Sequence, residues 1–303
     1  MADDAVWVIA RSVPGWAHGH LEVVPLEGGI TNRNFVVTRD DERFVLRVPG
    51  KDTELLGIDR ANEARAASLA ADAGVGPPVV AFLPESGCFV ARFVDGAHIP
   101  TADLRRNDVM GSVVRSLRAF HACPPIPSSF NVFRVVETYA ETAATRGVQP
   151  PPAYDEAHAL AGRIEAAFAQ NPSPLTTCHN DLLNANFLRD GEHTWLVDYE
   201  YAGMGDPFFD LGNLAVNNDL DPSADELLLR HAVGDVGDRH RARLALMRLM
   251  SDFREGMWGV VQQAISTLDE DFGAYASKHI ERLLTNAAAS ALDELLASAA
   301  QPA

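Results

Sequence analysis

The first third of the chain carries the hydrophobic pattern of strands. Short runs of β-branched and other apolar residues alternate with polar or glycine-rich turns, which is typical of strands joined by hairpins. Helices are predicted at 4–12 and at 58–73, and Gly74 with the pair Pro77-Pro78 stops the second of them. The predicted strands cover residues 20–26, 35–38, 43–49, 79–83 and 88–94.

After residue 95 the pattern becomes mainly helical. Residues 107–122 and 244–268 carry apolar side chains at offsets of three and four. The second of these segments is apolar around most of its circumference, so we expect it to be buried. The alanine-rich stretch 286–303 predicts a final helix, and one apolar run, 194–197, predicts a buried strand within this helical part.

The composition is that of an acidic globular protein. The 303 residues are 47% hydrophobic, which suits one large domain or two lobes, and 25 basic against 42 acidic residues give a net charge of −17. Nucleic acid and anionic membranes select for basic surfaces, so neither is expected as a partner, whereas a cationic substrate suits this balance. The three cysteines are too few and too scattered for a disulfide framework or a zinc site.

The sequence shows neither a secretory signal nor a membrane span. Asp3 and Asp4 give the N-terminus the wrong charge for a signal peptide. No apolar run reaches the roughly 18 residues that a spanning helix needs. We therefore expect a cytoplasmic protein.

Candidate chemistry is concentrated in the segment 179–186, His-Asn-Asp-Leu-Leu-Asn-Ala-Asn, and in Asp198, which closes the strand predicted at 194–197. Transfer of a γ-phosphoryl group needs a carboxylate to orient or deprotonate the acceptor hydroxyl, and further oxygen ligands to hold Mg²⁺. A short loop can carry both Asp181 and Asn186, and Asp198 can add a second oxygen ligand from across the loop. The pattern therefore indicates phosphoryl transfer.

These residues resemble the catalytic motifs of the choline kinase and aminoglycoside phosphotransferase group, which are small-molecule kinases with the protein-kinase fold. His179, Asp181 and Asn186 match the family's catalytic loop, and Asp198 matches its metal aspartate. The resemblance implies that Asp181 is the catalytic base, that Asn186 and Asp198 hold Mg²⁺, and that ATP is the phosphoryl donor.

The same resemblance implies an α+β, bilobal fold. We expect a small N-terminal lobe, residues 1–95, with an antiparallel sheet that binds the nucleotide. A larger, mainly helical lobe, residues 96–303, should carry the catalytic residues and bind the acceptor.

The resemblance also places the nucleotide site. The stretch 28–35, Gly-Gly-Ile-Thr-Asn-Arg-Asn-Phe, looks like the family's nucleotide loop, where glycines let backbone amides approach phosphates closely. Arg47 falls where protein kinases carry a phosphate-binding lysine, with Glu63 as its ion-pair partner, and the backbone of 92–94 should bond adenine. The expected nucleotide-binding residues are Gly28, Gly29, Thr31, Asn32, Arg47, Glu63, Phe93 and Val94.

The acceptor site is predicted from two segments. Residues 197–201, Val-Asp-Tyr-Glu-Tyr, look like the signature of the choline and ethanolamine kinase branch, which adds Glu200 to the expected acceptor site. Glu255 and Trp258 share one helix face, and an indole beside a carboxylate suits a cation. Trp258 and Tyr275 match positions that line the choline cage of choline kinases, whereas Glu255 replaces an aromatic residue of well-known members. A carboxylate suits an acceptor with N–H groups, so choline, ethanolamine and larger cationic alcohols all stay open.

The residues that follow the metal aspartate indicate a small acceptor. A protein kinase has a long activation segment here, and this chain has only 202–213 before the next helical pattern. Asp210 resembles the family's aspartate that starts a helix, as its N-cap, and ties down the catalytic loop.

Other functions stay open at this stage. Aminoglycoside, thiamine and methylthioribose kinases share the catalytic residues, and a nucleotide-binding pseudokinase would keep the fold without turnover. Either a monomer or a homodimer is compatible with the sequence.

Overall fold

The N-terminal lobe is built on an antiparallel sheet in which strands follow the order β1-β2-β3-β5-β4. The computed structural model describes residues 4–27 and 31–302. All five strands predicted for this part are confirmed, although the last ends at residue 92 and not at 94. Their bounds are β1 Leu21–Leu26, β2 Asn32–Arg39, β3 Glu42–Pro49, β4 Val79–Leu83 and β5 Cys88–Arg92.

The β2–β3 hairpin turns at two aspartates. Asp40 and Asp41 both have positive φ, 50° and 67°, as the central residues of a type I′ hairpin turn require. On these strands Val37 and Leu46 point into a core that also contains Val6 of helix α1 (Asp4–Ser12). The tight turn fixes the register of β3 against β2. It thereby fixes the position of Arg47, the residue after Leu46.

Helix α2 (Arg60–Asp72) brings a carboxylate to this sheet. The side chain of Asp59 caps the helix by accepting hydrogen bonds from the backbone N–H groups of Ala61 and Asn62. Glu63 then lies in the first turn and is fully buried.

The C-terminal lobe is mainly helical, with small strands around the catalytic segment. Its helices are α3 Asn107–His121, α4 Val132–Thr145, α5 Tyr154–Gln170, α6 Pro207–Asn217, α7 Pro222–Val233, α8 Asp238–Ile265, α9 Phe272–Ala289 and α10 Leu292–Ala299. Its strands are β6 Ala97–His98, β7 Thr176–Cys178, β8 Phe187–Asp190, β9 His193–Leu196 and β10 Gly203–Gly205. Among the described residues, no helix combines the length and apolar character that crossing a bilayer requires.

Two helix predictions in this lobe were wrong, one at its C-terminal end and the other in its interior. The helix predicted over 244–268 is α8, which ends at Ile265, and Leu268 is 47% exposed beyond it. The single final helix predicted over 286–303 is interrupted, since Ser290 has an extended backbone (φ −93°, ψ 159°) between α9 and α10. Alanine-rich composition favours helix on both sides but does not reveal such a break.

The small strands hold the catalytic segment between them. β8 and β9 form a hairpin, β6 pairs with β8, and β7 pairs with β10. Residues 179–186 therefore run from the end of β7 to the start of β8, and Asp198 follows β9. Because β6 already pairs within the helical part, we propose that the lobes divide between Asp95 and Gly96.

Gly212 provides a test of the packing between α6 and α8. A Cβ at this position would lie 2.6 Å from the backbone carbon of Met247 and 2.8 Å from its oxygen, and a backbone cannot move away as a flexible side chain can. We expect Gly212→Ala to lower the free energy of unfolding by about 1–3 kcal/mol. Thermal or urea unfolding measures the change.

The exposed Gly162 of α5 is the matched control, because nothing lies within 4 Å of the Cβ that alanine would add there. We expect Gly162→Ala to raise stability by roughly 0.5–1 kcal/mol, the ordinary gain for alanine in a helix. If both variants unfolded alike, the close approach of α6 and α8 would be wrong.

Candidate active site

Asp210 fixes the backbone of the catalytic loop. Its carboxylate accepts hydrogen bonds from the backbone N–H groups of His179 (2.9 Å) and Asn180 (2.6 Å), and it lies 2.8 Å from Nε2 of His121. The predicted tie to the loop is thus confirmed, but the predicted N-cap role is wrong. Helix α6 begins at Pro207 with Asp206 as its N-cap, because proline favours the first helical position.

Asparagines of α6 and its C-terminal end complete the support of this loop. Asn213 Oδ1 accepts from the backbone N–H of Leu182 at 2.5 Å, and Asn218 Nδ2 donates to the Leu182 carbonyl at 3.0 Å. Neither asparagine was predicted to act here, since a polar residue in a helix does not reveal its distant partner. Both peptide groups of one loop residue are therefore held by α6, which leaves the neighbouring Asp181 little freedom.

Asp181 lies beside Asn186, as the motif predicted. Nδ2 of Asn186 donates to the backbone carbonyl of Asp181 at 2.8 Å and lies 3.5 Å from the carboxylate. The pKa of Asp181 is raised to about 7, chiefly by burial. The charge of Arg254 opposes this rise, and the carboxylates of Glu255 and Asp198 add to it. A carboxyl group with this pKa can exchange a proton near neutral pH.

Asp198 faces the N-terminal lobe. Its backbone is in the left-handed region, with φ of 71°, a conformation that costs free energy and is concentrated at functional sites. Its Oδ1 lies 2.5 Å from a guanidinium nitrogen of Arg47. Burial alone would raise the pKa of Asp198, but the charge of Arg47 outweighs burial and lowers it.

Arg47 and Glu63 form the predicted ion pair. The guanidinium NH1 of Arg47 donates to Oε1 of Glu63 at 2.7 Å, and both side chains are buried. Arg60, which was not predicted, donates to the other oxygen of Glu63 at 2.7 Å. Its position three residues before Glu63 on the same helix is the signal that could have indicated it.

Glu200 lies with this charged cluster. Its Oε2 accepts from Asn32 Nδ2 at 2.7 Å and from Arg60 NH1 at 3.4 Å, and it is 4.0 Å from Arg47. Burial and the nearby Asp198 carboxylate raise its pKa to about 8. The structure thus places Glu200 beside Asn32, Arg60 and Arg47. We propose that it acts near the phosphates of the nucleotide and not in the acceptor site for which it was predicted.

Among the remaining expected nucleotide residues, Thr31 lies just before β2, and Phe93 and Val94 lie in the loop that follows β5. Gly28 and Gly29 lie outside the described residues. The Thr31 carbonyl accepts from the backbone N–H of Gly50 at 3.0 Å, which joins the ends of β2 and β3. The N–H of Phe93 already donates to the Arg43 carbonyl at 3.0 Å. We propose Val94 as the backbone donor for the nucleotide base.

The acceptor residues come together on two helices. Tyr275 of α9 donates its hydroxyl to Glu255 of α8 at 2.9 Å, and its ring lies edge-on to Trp258 with centroids 5.8 Å apart. The indole N–H of Trp258 donates to the hydroxyl of Tyr201 at 3.0 Å. Two aromatic rings and a carboxylate therefore form one connected group, which Tyr201 extends through its bond to Trp258.

Arg254 joins the acceptor residues to the catalytic loop, and it was not predicted. Its side chain is 2% exposed, and its guanidinium NH1 donates to Oε1 of Glu255 at 2.6 Å. The same NH1 lies 3.6 Å from Oδ1 of Asp181. Burial would lower its pKa, but the neighbouring carboxylates raise it well above the ordinary value. An arginine within the largely apolar segment 244–268 is a signal that could have indicated it, because charged residues are almost never fully buried unpaired.

The residues around Asp198 suit a magnesium ion. Asp198 bonds Arg47 through Oδ1, and Asn186 uses its amide nitrogen on Asp181. Among the described residues this leaves one carboxylate oxygen and one amide oxygen without a protein donor. Mg²⁺ prefers such hard oxygen ligands and keeps further positions for water and phosphates.

Comparison with known proteins points to one group of enzymes. A profile described as the phosphotransferase enzyme family matches residues 22–246. Ethanolamine kinase 2 of Homo sapiens is 27% identical over 305 residues, which cover 90% of this chain and 78% of that protein. Protein LicA of Haemophilus influenzae is 26% identical over 280 residues, which cover 86% of this chain and 79% of that protein.

The fold is shared with a solved structure over nearly its whole length. The crystal structure of a choline/ethanolamine kinase family protein from Mesorhizobium loti is similar with a TM-score of 0.83 and 32% identity, and it covers 98% of each chain. The predicted bilobal α+β architecture is thereby confirmed.

Proposed function

Because the chain belongs to the phosphotransferase enzyme family, and to the choline/ethanolamine kinases within it, we propose that it transfers the γ-phosphoryl group of ATP to the hydroxyl of a small amino alcohol. It is a small-molecule kinase, a phosphotransferase with an alcohol group as acceptor. Its phosphoryl donor would be ATP, its metal ion Mg²⁺ and its acceptor an amino alcohol.

The observation that carries the proposal is the position of Asp181 between two groups of residues. Its carboxylate is influenced electrostatically both by Asp198 and by Glu255. Asp198 contacts the Arg47–Glu63 pair of the N-terminal lobe, and Glu255 contacts the aromatic residues of α8 and α9. A base in this place can reach a hydroxyl that lies between a nucleotide on one side and an amine on the other.

On the side where we propose that the phosphates bind, Arg47 supplies a positive charge in a fixed position. Glu63 holds Arg47 in one orientation, so its guanidinium can meet phosphate oxygens without reorganisation. Asn186 and Asp198 would hold Mg²⁺, which when bound neutralises charge that develops on the phosphates. Asp181 orients the acceptor hydroxyl and takes its proton.

The acceptor side favours a cation. The carboxylates of Asp181 and Glu255 face a single guanidinium, that of Arg254, so the group carries an excess of negative charge when both acids are ionised. The ring faces of Trp258 and Tyr275 attract an ammonium group. An amino alcohol would bring the missing positive charge together with the hydroxyl that Asp181 needs.

The test is a screen of ATP consumption with Mg²⁺ against choline, ethanolamine, their methylated intermediates, thiamine and aminoglycosides. We expect turnover with at least one amino alcohol and none with thiamine or aminoglycosides. Turnover confined to thiamine or an aminoglycoside would overturn the acceptor class. Tight nucleotide binding without any turnover would favour the pseudokinase alternative.

Trp258 should affect the acceptor and not the nucleotide. We expect Trp258→Ala to raise KM for the amine by about 2- to 30-fold, which corresponds to a cation–π term of ~0.5–2 kcal/mol, and to leave KM for ATP unchanged. Trp258→Phe keeps an aromatic face, although a smaller one, and loses the hydrogen bond to Tyr201, so its KM for the amine should rise less. Equal increases in both KM values would indicate that Trp258 serves only the core.

A further inference from the structure

Arg254 covers an aromatic face beside the residues that we propose to bind the acceptor. The carbon at the centre of its guanidinium lies 4.2 Å from the centroid of the Tyr201 ring, well inside the ~6 Å range of a cation–π contact. Trp258 holds the same ring through its hydroxyl. The protein thus places its own cation on that face, and a substrate ammonium cannot occupy it at the same time.

Arg254 also fixes the carboxylate of Glu255. Oε1 of Glu255 accepts from Arg254 at 2.6 Å, and Oε2 accepts from the hydroxyl of Tyr275 at 2.9 Å. Two carboxylate oxygens offer about four acceptor positions, so the carboxylate remains able to accept from a substrate. A primary ammonium has N–H groups for this purpose, whereas a trimethylammonium group would cover the carboxylate and donate nothing.

The Arg254 guanidinium is held by the carboxylates of Glu255 and Asp181 and by the ring of Tyr201. Its hydrogen bonding is incomplete. Its Nε and NH2 are buried and have no hydrogen-bond partner among the described residues. Unpaired buried donors are uncommon, because each one loses its hydrogen bonds to water without replacement. A buried arginine that served only stability would be better satisfied, as Arg243 on the same helix is.

We propose that Arg254 is a specificity-determining residue that restricts the acceptor to alcohols with a primary ammonium group, such as ethanolamine, and excludes quaternary ones such as choline. By covering Tyr201 and fixing Glu255, it replaces part of an aromatic cage with a polar wall. This inference rests on the proposed function, since it names the substrate class for that same site.

The first experiment uses the wild-type protein alone. The ratio of kcat/KM for ethanolamine to that for choline is measured, together with inhibition by methylammonium and by tetramethylammonium chloride. We expect ethanolamine to be favoured by at least tenfold, and methylammonium to be the stronger competitor of the amine. A preference for choline, or equal use of both, would overturn the role given to Arg254.

The second experiment compares Arg254→Met with Arg243→Met. Arg243 is also fully buried on α8 and lies 4.3 Å from the centroid of Phe168, but it bonds Ser173 at 2.7 Å and the Asn171 carbonyl at 2.5 Å, away from the acceptor. We expect Arg254→Met to shift the ratio at least tenfold toward choline, because it uncovers Tyr201. Arg243→Met should lower the melting temperature and leave the ratio unchanged.

The ratio of kcat/KM for ethanolamine to that for choline separates a change in specificity from a general loss of activity. Arg254→Met also removes the positive partner of Asp181, which should slow the reaction of both amines alike. An unchanged ratio in a folded, active Arg254→Met protein would overturn the inference and leave the proposed function intact. Absence of turnover with every amine in the wild type would instead overturn the proposed function. If the variant does not fold, the wild-type ratio and the two inhibitors still decide.

Discussion

Replacing Asp181 with asparagine is expected to reduce kcat by at least the ~10²-fold that a lost acid or base typically costs. Asparagine keeps the size of the side chain. The hydrogen bond from Asn186 goes to the backbone carbonyl of residue 181, so the loop should keep its shape. The substitution removes the group that takes the proton, together with the negative charge that faces Arg254 at 3.6 Å. Nucleotide affinity, measured by calorimetric titration, should stay close to that of the wild type.

Asp225 offers a matched control for this substitution. Burial raises its pKa to about 6, and it pairs with Arg248 at 2.8 Å, so it shares a raised pKa and an arginine partner with Asp181. It lies on α7 and contacts no catalytic residue in the described part of the chain. Asp225→Asn should leave kcat nearly unchanged. Near-normal turnover of Asp181→Asn would remove this residue as the base.

Local patterns explain why most of the fold could be predicted. Strands such as β3 and helices such as α2 follow from short-range periodicity. The Asp40-Asp41 turn sets the register of β3 against β2. The errors lie where a single residue determines the position at which a helix begins or ends. Ser290 breaks a stretch whose composition favours helix throughout, and Pro207 makes Asp206 the N-cap of α6 where Asp210 was expected.

The candidate site was predictable to the extent that its residues are neighbours in sequence. Asp181, Asn186 and Asp198 belong to one loop and the strand end beside it, so their spacing indicates their chemistry. Arg254 and Asn213 lie inside helices, and only the packing of α8 and α6 against the loop shows their partners. For Glu200, by contrast, the local motif predicted the wrong partner. Its place in a motif suggested the acceptor, whereas its side chain bonds Asn32 of β2.

Replacing Asp198 with alanine is expected to abolish productive binding of the metal–nucleotide complex. Asn186 would remain as the single expected protein ligand, and the phosphates would have to hold the ion almost alone. A metal ion contributes several kcal/mol to stabilising the transition state, so kcat/KM for Mg²⁺–ATP should fall by ~10²–10³-fold or more. The folded state should survive, because Glu63 still pairs with Arg47 at 2.7 Å.

The measurement for Asp198→Ala is a steady-state titration with Mg²⁺ at fixed ATP, beside nucleotide binding with and without the metal. Mg²⁺ should strengthen nucleotide binding to the wild type and have little effect on the variant. Glu200→Gln is the informative companion, since it removes a charge from the same cluster while Asn32 and Arg60 can still contact the amide. If Asp198→Ala kept its Mg²⁺ dependence and Glu200→Gln lost it, the metal would be held by Glu200, and Asp198 would serve chiefly to orient Arg47. Loss in Asp198→Ala alone would place the ion between the catalytic loop and the end of β9. There Asp181 can take the proton of the acceptor hydroxyl while its oxygen bonds to the γ-phosphorus and the bond to the leaving ADP breaks.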